Sequence, residues 1–255
     1  MELATLVDRL NDRLAVDAYT DVDASANGLQ VGPERAEVSR AAFAVDAAEA
    51  TIEAAADRGA DVLVVHHGVS WGGFNRVTDR TYRLVAALVD RDVALYAVHL
   101  PLDGHAELGN AAGLADLLGL ELREPFGELG GVHVGQRAHA PEPLDRGDLV
   151  ARLEAELDTG GRSVGRLEFG PERVEEVAIV TGSGTDWLDE AVDVGADTLL
   201  TGEGKQQVYH EAREAGVNVL LAGHYATETA GVRALADLVA GWGVETTFVD
   251  HPTGL

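Results

Sequence analysis

Cysteine is absent from this 255-residue chain, lysine occurs once, at Lys205, and aromatic residues make up only 5%. The first absence removes disulfides and thiolate ligands, so any bound metal must be held by nitrogen and oxygen. The second leaves arginine to supply the other 18 of the 19 basic side chains, against 44 acids and a formal net charge of −25. With no basic stripe to neutralise phosphates, direct binding to a DNA or RNA backbone is disfavoured. No run approaches the roughly 18 consecutive apolar residues of a membrane-spanning helix, which argues against a membrane partner. Residues 1–10 read as the start of an acidic amphipathic helix. They lack the basic flank and small-residue cleavage site of a secretion signal, so the cytoplasm is the expected location.

The acids are spread along amphipathic helices rather than gathered in a tail, as a nucleic-acid mimic would have them. A surface so acidic and so poor in lysine suits a very salty cytosol, where screening cancels self-repulsion. The expectation is a fold that loosens as ionic strength falls.

Hydrophobic periodicity predicts helices over 2–14, from Asp46 as cap to about 58, and over 79–90, 108–118, 146–156, 185–194, 205–215 and 226–240. Buried-looking strands are expected over 38–45, 61–65, 93–98, 164–169, 174–180, 198–201, 217–222 and 244–249. A loop is expected over 27–33, and a rhythm of short strands over 121–143. Alternation of strand and helix argues for α/β layers with right-handed crossovers. One phrase also occurs twice. Gly59-Ala60-Asp61 opens a strand that ends in His66-His67-Gly68, followed later by His99 and Asp103. Gly195-Ala196-Asp197 opens one that ends in Thr201-Gly202-Glu203-Gly204, followed by His224 and Glu228. The first members lie 136 residues apart and the two histidines 125 apart, as expected of a duplicated unit with an indel in a surface loop. The predicted architecture is two similar α/β halves, 1–125 and 126–255, related by pseudo-symmetry. Mixed sheets are flanked by helices, a metal site lies between the halves, and the C-terminal segment is free to pack back on the first half.

The polar residues of the repeat are metal-ligand types at strand ends, where open α/β sheets bind ligands. His66 and His67 sit where the chain turns at Gly68, so that both imidazoles can face one crevice. Asp103 has two oxygens and could bridge two cations at the roughly 3.5–4 Å of two-metal sites; alternatively it caps a helix beginning after Gly104. His224 and Glu228, four residues apart on a helix, share one face. His99 is either a ligand or a residue that orients one, and is the candidate proton carrier. Nitrogen and carboxylate donors without sulfur suit two divalent ions of Zn, Mn, Fe, Co or Ni. The glycine-rich turns 181–184 and 201–204 are either plain turns or places where backbone N–H groups approach an anion. His105, His133, His139, His210 and His251 are read as ordinary surface or rim residues.

Taken in order, Asn27-Gly28-Leu29-Gln30-Val31-Gly32, His66-His67-Gly68, His99-Leu100-Pro101-Leu102-Asp103 and Gly223-His224-Tyr225-Ala226-Thr227-Glu228 resemble the Nif-three-like dinuclear metal-centre proteins, often filed as GTP cyclohydrolase 1 type 2 homologues. The resemblance covers nearly the whole chain. It implies two similar α/β halves, a toroidal homohexamer and a two-metal site facing an internal cavity, with ligands at His66, His67, Asp103, His224 and Glu228. At 255 residues the chain resembles the short form, without the inserted mid-chain domain. The expected function is a metal-dependent hydrolase acting on an unspecified small molecule. The alternative is a non-catalytic metal carrier or hexameric scaffold.

Overall fold

The structure, a computed structural model, describes residues 1–33 and 36–255. It contains two compact units. The first comprises Met1–Leu102 and Val232–His251, the second Asp103–Gly231 and Pro252–Leu255. The boundary expected at 125/126 instead falls inside a strand, and the change of unit comes at Leu102/Asp103.

In the first unit, α1 (Leu3–Leu14) buries Leu3, Leu6, Leu10 and Leu14, the three-and-four spacing of one helical face. Strand β1 (Gly28–Val31) lies within the expected loop. It is followed by β2 (Arg40–Asp46), α2 (Glu49–Asp57), β3 (Val62–His67), α3 (Asp79–Asp90) and β4 (Ala94–Ala97). Strands β2, β3 and β4 run parallel, and β1 closes one edge antiparallel to β4. Parallel strands covered on both faces read as continuous apolar runs, and Ala41 to Val45 and Val62 to Val65 are all buried. Ile52 of α2 and Leu84 and Leu88 of α3 pack against Leu63 and Leu95 in one core. Asp46 does not cap α2. Thr51 takes that role from inside the helix, its Oγ1 accepting Ala48 N–H at 2.9 Å and donating to Asp46 O at 2.6 Å. The Asp46 carboxylate is thereby left for another partner.

The chain enters the second unit through α4 (Leu100–Asp103) and α5 (Asn110–Leu118). In place of several short strands there follows a hairpin of two long ones, β5 (Glu121–Leu129) and β6 (Val132–Asp145), turning at Gly130-Gly131 with φ of +58° and +93°. Glycine hid these strands from the sequence pattern. At Gly135 a Cβ would stand 2.2 Å from Ile179 O, so the close approach of β6 to its neighbour requires glycine. Then come α6 (Arg146–Glu156), β7 (Gly165–Leu167), β8 (Arg173–Ile179), α7 (Leu188–Asp193), β9 (Thr198–Thr201), α8 (Val208–Ala215), β10 (Asn218–Leu221) and α9 (His224–Thr227). The second sheet has the order β5-β6-β8-β9-β10-β7. Helix α10 (Thr229–Ala240) leads to β11 (Glu245–Phe248), which joins β2 of the first sheet in parallel, giving β1-β4-β3-β2-β11.

The repeated phrase has matching hydrogen bonds and a matching strand order in the two units. Strands β8, β9 and β10 are parallel with β7 antiparallel at the edge, as β2, β3, β4 and β1 are. Gly59 and Gly195 both end a helix with positive φ, +67° and +76°. Asp61 Oδ2 then accepts Ser39 and Arg40 N–H at 2.8 and 2.9 Å, and Asp197 Oδ2 accepts Glu175 and Glu176 N–H at 2.7 and 3.0 Å. The repeated Gly-Ala-Asp phrase is therefore a splice holding the start of the second parallel strand to the first. Its third element is offset by one from the expected pairing. Val62 pairs with Ala94 and Thr198 with Asn218, so the offset there is 124 and His99 corresponds to Gly223, not to His224.

Candidate metal centre

At the ends of β3 and β4 the first unit gathers three imidazoles. The rings of His66 and His67 are 4.7 Å apart, of His66 and His99 5.0 Å, and of His67 and His99 5.6 Å between centroids. Each ring is held from behind at Nδ1. His66 Nδ1 lies 3.0 Å from Val98 O, His67 Nδ1 2.9 Å from Asp46 Oδ1, and His99 Nδ1 2.9 Å from Asp23 Oδ1. A carbonyl and two carboxylates only accept, so in all three rings Nδ1 carries the hydrogen and the lone pair of the neutral imidazole is on Nε2. This is the arrangement in which metal-binding histidines are oriented by carboxylates and backbone carbonyls. One ligand atom from each of the three lies within 4.8 Å of the other two.

Asp23 was not foreseen. Its side chain is 1% exposed. Oδ1 accepts Ser25 N–H as well as His99, and Oδ2 accepts Asn27 Nδ2 and Leu100 N–H. Burial works to raise its pKa, but the bond to His99, that residue's charge, and the Asn27 and Ser25 donors overcome it and hold the carboxyl below its ordinary range. Asn27 Oδ1 in turn accepts His99 N–H at 2.8 Å. Gln30 Oε1 accepts Val69 and Ser70 N–H, and a Cβ on Gly68 would lie 2.3 Å from it. The Asn27–Gln30 motif is thus a brace for the histidine-bearing strand ends.

The second unit supplies carboxylates. Asp103, the last residue of α4, is buried and accepts Asn110 Nδ2 at 2.8 Å and Thr181 Oγ1 at 2.9 Å, both on Oδ1. It caps no following helix, because α5 begins at Asn110 behind Gly109. Glu228, only 2% exposed, has Oε1 3.1 Å from His224 Nε2, while His224 Nδ1 lies 3.0 Å from Glu203 Oε1. Burial lowers the pKa of His224, but Glu228 and Glu203 outweigh it and raise the value to about 9. A buried carboxylate needs a positive charge beside it. Here the His224 proton provides one, and a divalent cation is the other species with the right chemistry. The glycine turns serve this cluster. At Gly182, with φ +61°, a Cβ would lie 2.4 Å from Glu228 Oε1, and at Gly202 one would lie 2.7 Å from His224 Cα. Of the histidines read as ordinary, His139 pairs with Glu176, and His105 Nδ1 accepts Glu107 and Leu108 N–H to close a turn.

The three imidazoles form a group that could hold a divalent ion, and Asp103, His224 and Glu228 bring further nitrogen and oxygen donors of the types such an ion takes. A sequence model of the family Duf34/NIF3 (NGG1p interacting factor 3) matches residues 1–253. The chain belongs to the Duf34/NIF3 family. Its relatives include proteins named GTP cyclohydrolase 1 type 2 homolog from Halobacterium salinarum, 58% identical over 255 residues, and from Archaeoglobus fulgidus, 42% identical over 257 residues, with all of both chains covered in each case. A crystal structure of a Thermus thermophilus protein superposes on the whole chain with a TM-score of 0.89 at 41% identity, again covering all of both chains. The resemblance read from the four motifs is therefore borne out, as is the mixed α/β architecture. No helix among the described residues of this Duf34/NIF3 protein is long and apolar enough to cross a membrane.

Proposed function

We propose that this protein is a dinuclear metal-binding hydrolase whose two divalent ions are held by His66, His67, Asp103, His224 and Glu228. The observation that carries the reading is the common orientation of the imidazoles, each with Nδ1 engaged by an acceptor so that Nε2 is the donor nitrogen. Bound ions of this kind supply Lewis acidity and bring the pKa of a coordinated water toward neutrality. His99, fixed by Asp23 and Asn27, is the residue suited to moving a proton to or from a substrate at Nε2. Glu203 and Gly182 hold His224 and leave it room. The relatives' name makes guanine nucleosides and nucleotides the first compounds to test, ahead of amides and phosphoesters. We further infer a homohexameric, cytoplasmic protein adapted to high salt, in keeping with the net charge of −25.

Elemental analysis of protein purified at molar salt, followed by a hydrolysis screen in that salt, tests the proposal. About two transition-metal ions per chain and turnover abolished by His66→Ala support it. Material that takes up no metal after soaking overturns it. The burial of Asp103 and Glu228 favours a second reading, a carrier or scaffold with closed sites. In that case metal loads fully and no substrate turns over.

A further inference from the structure

Trp71 presents an aromatic surface beside the histidine cluster that no metal ligand requires. Its ring centroid lies 5.0 Å from that of His99, edge to face, and 6.0 Å from that of His67. In a chain so poor in aromatics, the indole is nonetheless 46% exposed. The exposure is built into the backbone. Trp71 forms a β-bridge with Ser25, Gly72 N–H donates to Ala24 O at 2.6 Å, Ala26 N–H donates to Ser70 O at 3.1 Å, and Gln30 pins Val69 and Ser70. A large apolar ring held rigidly in water loses little freedom when a ligand covers it, which is how recognition surfaces are pre-organised.

The same pinned segments line a cavity of about 350 Å³, whose walls include Asn11, Asp17, Thr20, Ser25, Asn27 and Gly72. No basic side chain is among its lining residues. Asp17, Asp23, Asn11 and Asn27 offer it acid and amide oxygens instead, which accept from hydroxyl donors and repel a phosphate.

We propose that Trp71 is the stacking platform for a planar heterocycle and that the adjoining cavity takes its hydroxyl-bearing substituent, so that the ligand at the histidine cluster is of the nucleoside type with no phosphate on that side. The proposal rests on the hydrolase reading only for the identity of the ligand as substrate. Stacking on an aromatic face tolerates any base, whereas the cavity selects the substituent.

The test uses full-length protein carrying Trp187→Phe and Trp242→Phe, leaving Trp71 as the sole tryptophan, in molar salt, both metal-loaded and chelated. Emission is followed while guanosine, ribose and guanosine 5′-monophosphate are added. Saturable quenching by guanosine is expected, with no response to ribose and binding at least about tenfold weaker for the monophosphate. By calorimetry, Trp71→Ala should weaken guanosine binding at least about tenfold and Trp71→Phe by no more than about threefold, the span set by base–aromatic stacking. Metal content must stay at the parent level in Trp71→Ala, which separates a lost platform from a lost fold. Guanosine that leaves Trp71 emission unchanged, or binds Trp71→Ala as tightly as the parent, overturns the proposal. Failure to load metal while quenching persists would instead sink the two-metal reading and leave the platform standing.

Discussion

The two units share strand order, splice and helix-ending glycine, yet at the same strand end they display opposite chemistry. Where β3 finishes in His66-His67, β9 is followed by Gly202-Glu203. The imidazoles of the first unit lean on carboxylates and a carbonyl. In the second unit His224 sits between two carboxylates, Glu203 and Glu228, and its pKa rises to about 9. The two units thus share the scaffold, whose hydrogen bonds any sequence must satisfy, while the strand-end residues, which no backbone bond dictates, differ: imidazoles in the first unit, and carboxylates around the one imidazole of His224 in the second.

The sharpest test of that division is to remove one donor from each. His66→Ala and Glu228→Ala should each cost about one equivalent of bound metal, or more than about a hundredfold in affinity, as loss of a direct ligand does; plasma emission spectrometry after desalting reads this. Equal metal content in either variant and the parent breaks the comparison. Next in size is the support behind the rings. Asp46→Asn should weaken metal binding about 10- to 100-fold, the usual effect of losing the carboxylate that orients a ligand histidine, here His67, with competition against a fluorescent chelator as the measure.

The shared scaffold makes a matched prediction. Asp61→Ala and Asp197→Ala each strand two backbone N–H groups, so each should destabilise the protein by about 2 kcal/mol, and the two should agree within about 1 kcal/mol by denaturant titration. A large inequality would show that the splice is not equivalent in the two units. The smallest effect is expected at the half-exposed Glu203. Glu203→Gln removes one of the two carboxylates that keep His224 charged, so in metal-free protein its pKa should fall from about 9 toward the ordinary histidine value while Glu228 still holds it above that value. A histidine NMR titration reads the shift, and an unchanged midpoint would contradict it.

Much of the architecture was legible because parallel strands buried on both faces leave unbroken apolar runs, as in Ala41 to Val45 and Val62 to Val65. Legibility failed where glycine or a cap signal stood for something else. Gly127, Gly130 and Gly135 made the long β5–β6 hairpin look like broken short strands, and Asp46, placed where a helix cap belongs, proved to be the carboxylate behind His67. The ligand-type residues His66, His67, Asp103, His224 and Glu228 stood out because histidine and carboxylate at strand ends are rare without a use. Asp23 and Trp71 did not, since their partners lie 76 residues away in His99 and across a bridge to Ser25.

By itself the sequence determined which side chains are of metal-ligand type, the α/β layering and the repeated phrase, because these depend on residue type and on local period. Only the tertiary structure decided which oxygen stands behind each imidazole, and therefore which nitrogen bears the lone pair. It alone also revealed that the chain changes unit at Leu102 and returns at Val232, and that the indole of Trp71 is held open to solvent. Those outcomes rest on contacts between segments far apart in the chain, and side-chain hydrogen bonds over such separations leave no periodic trace in the order of residues.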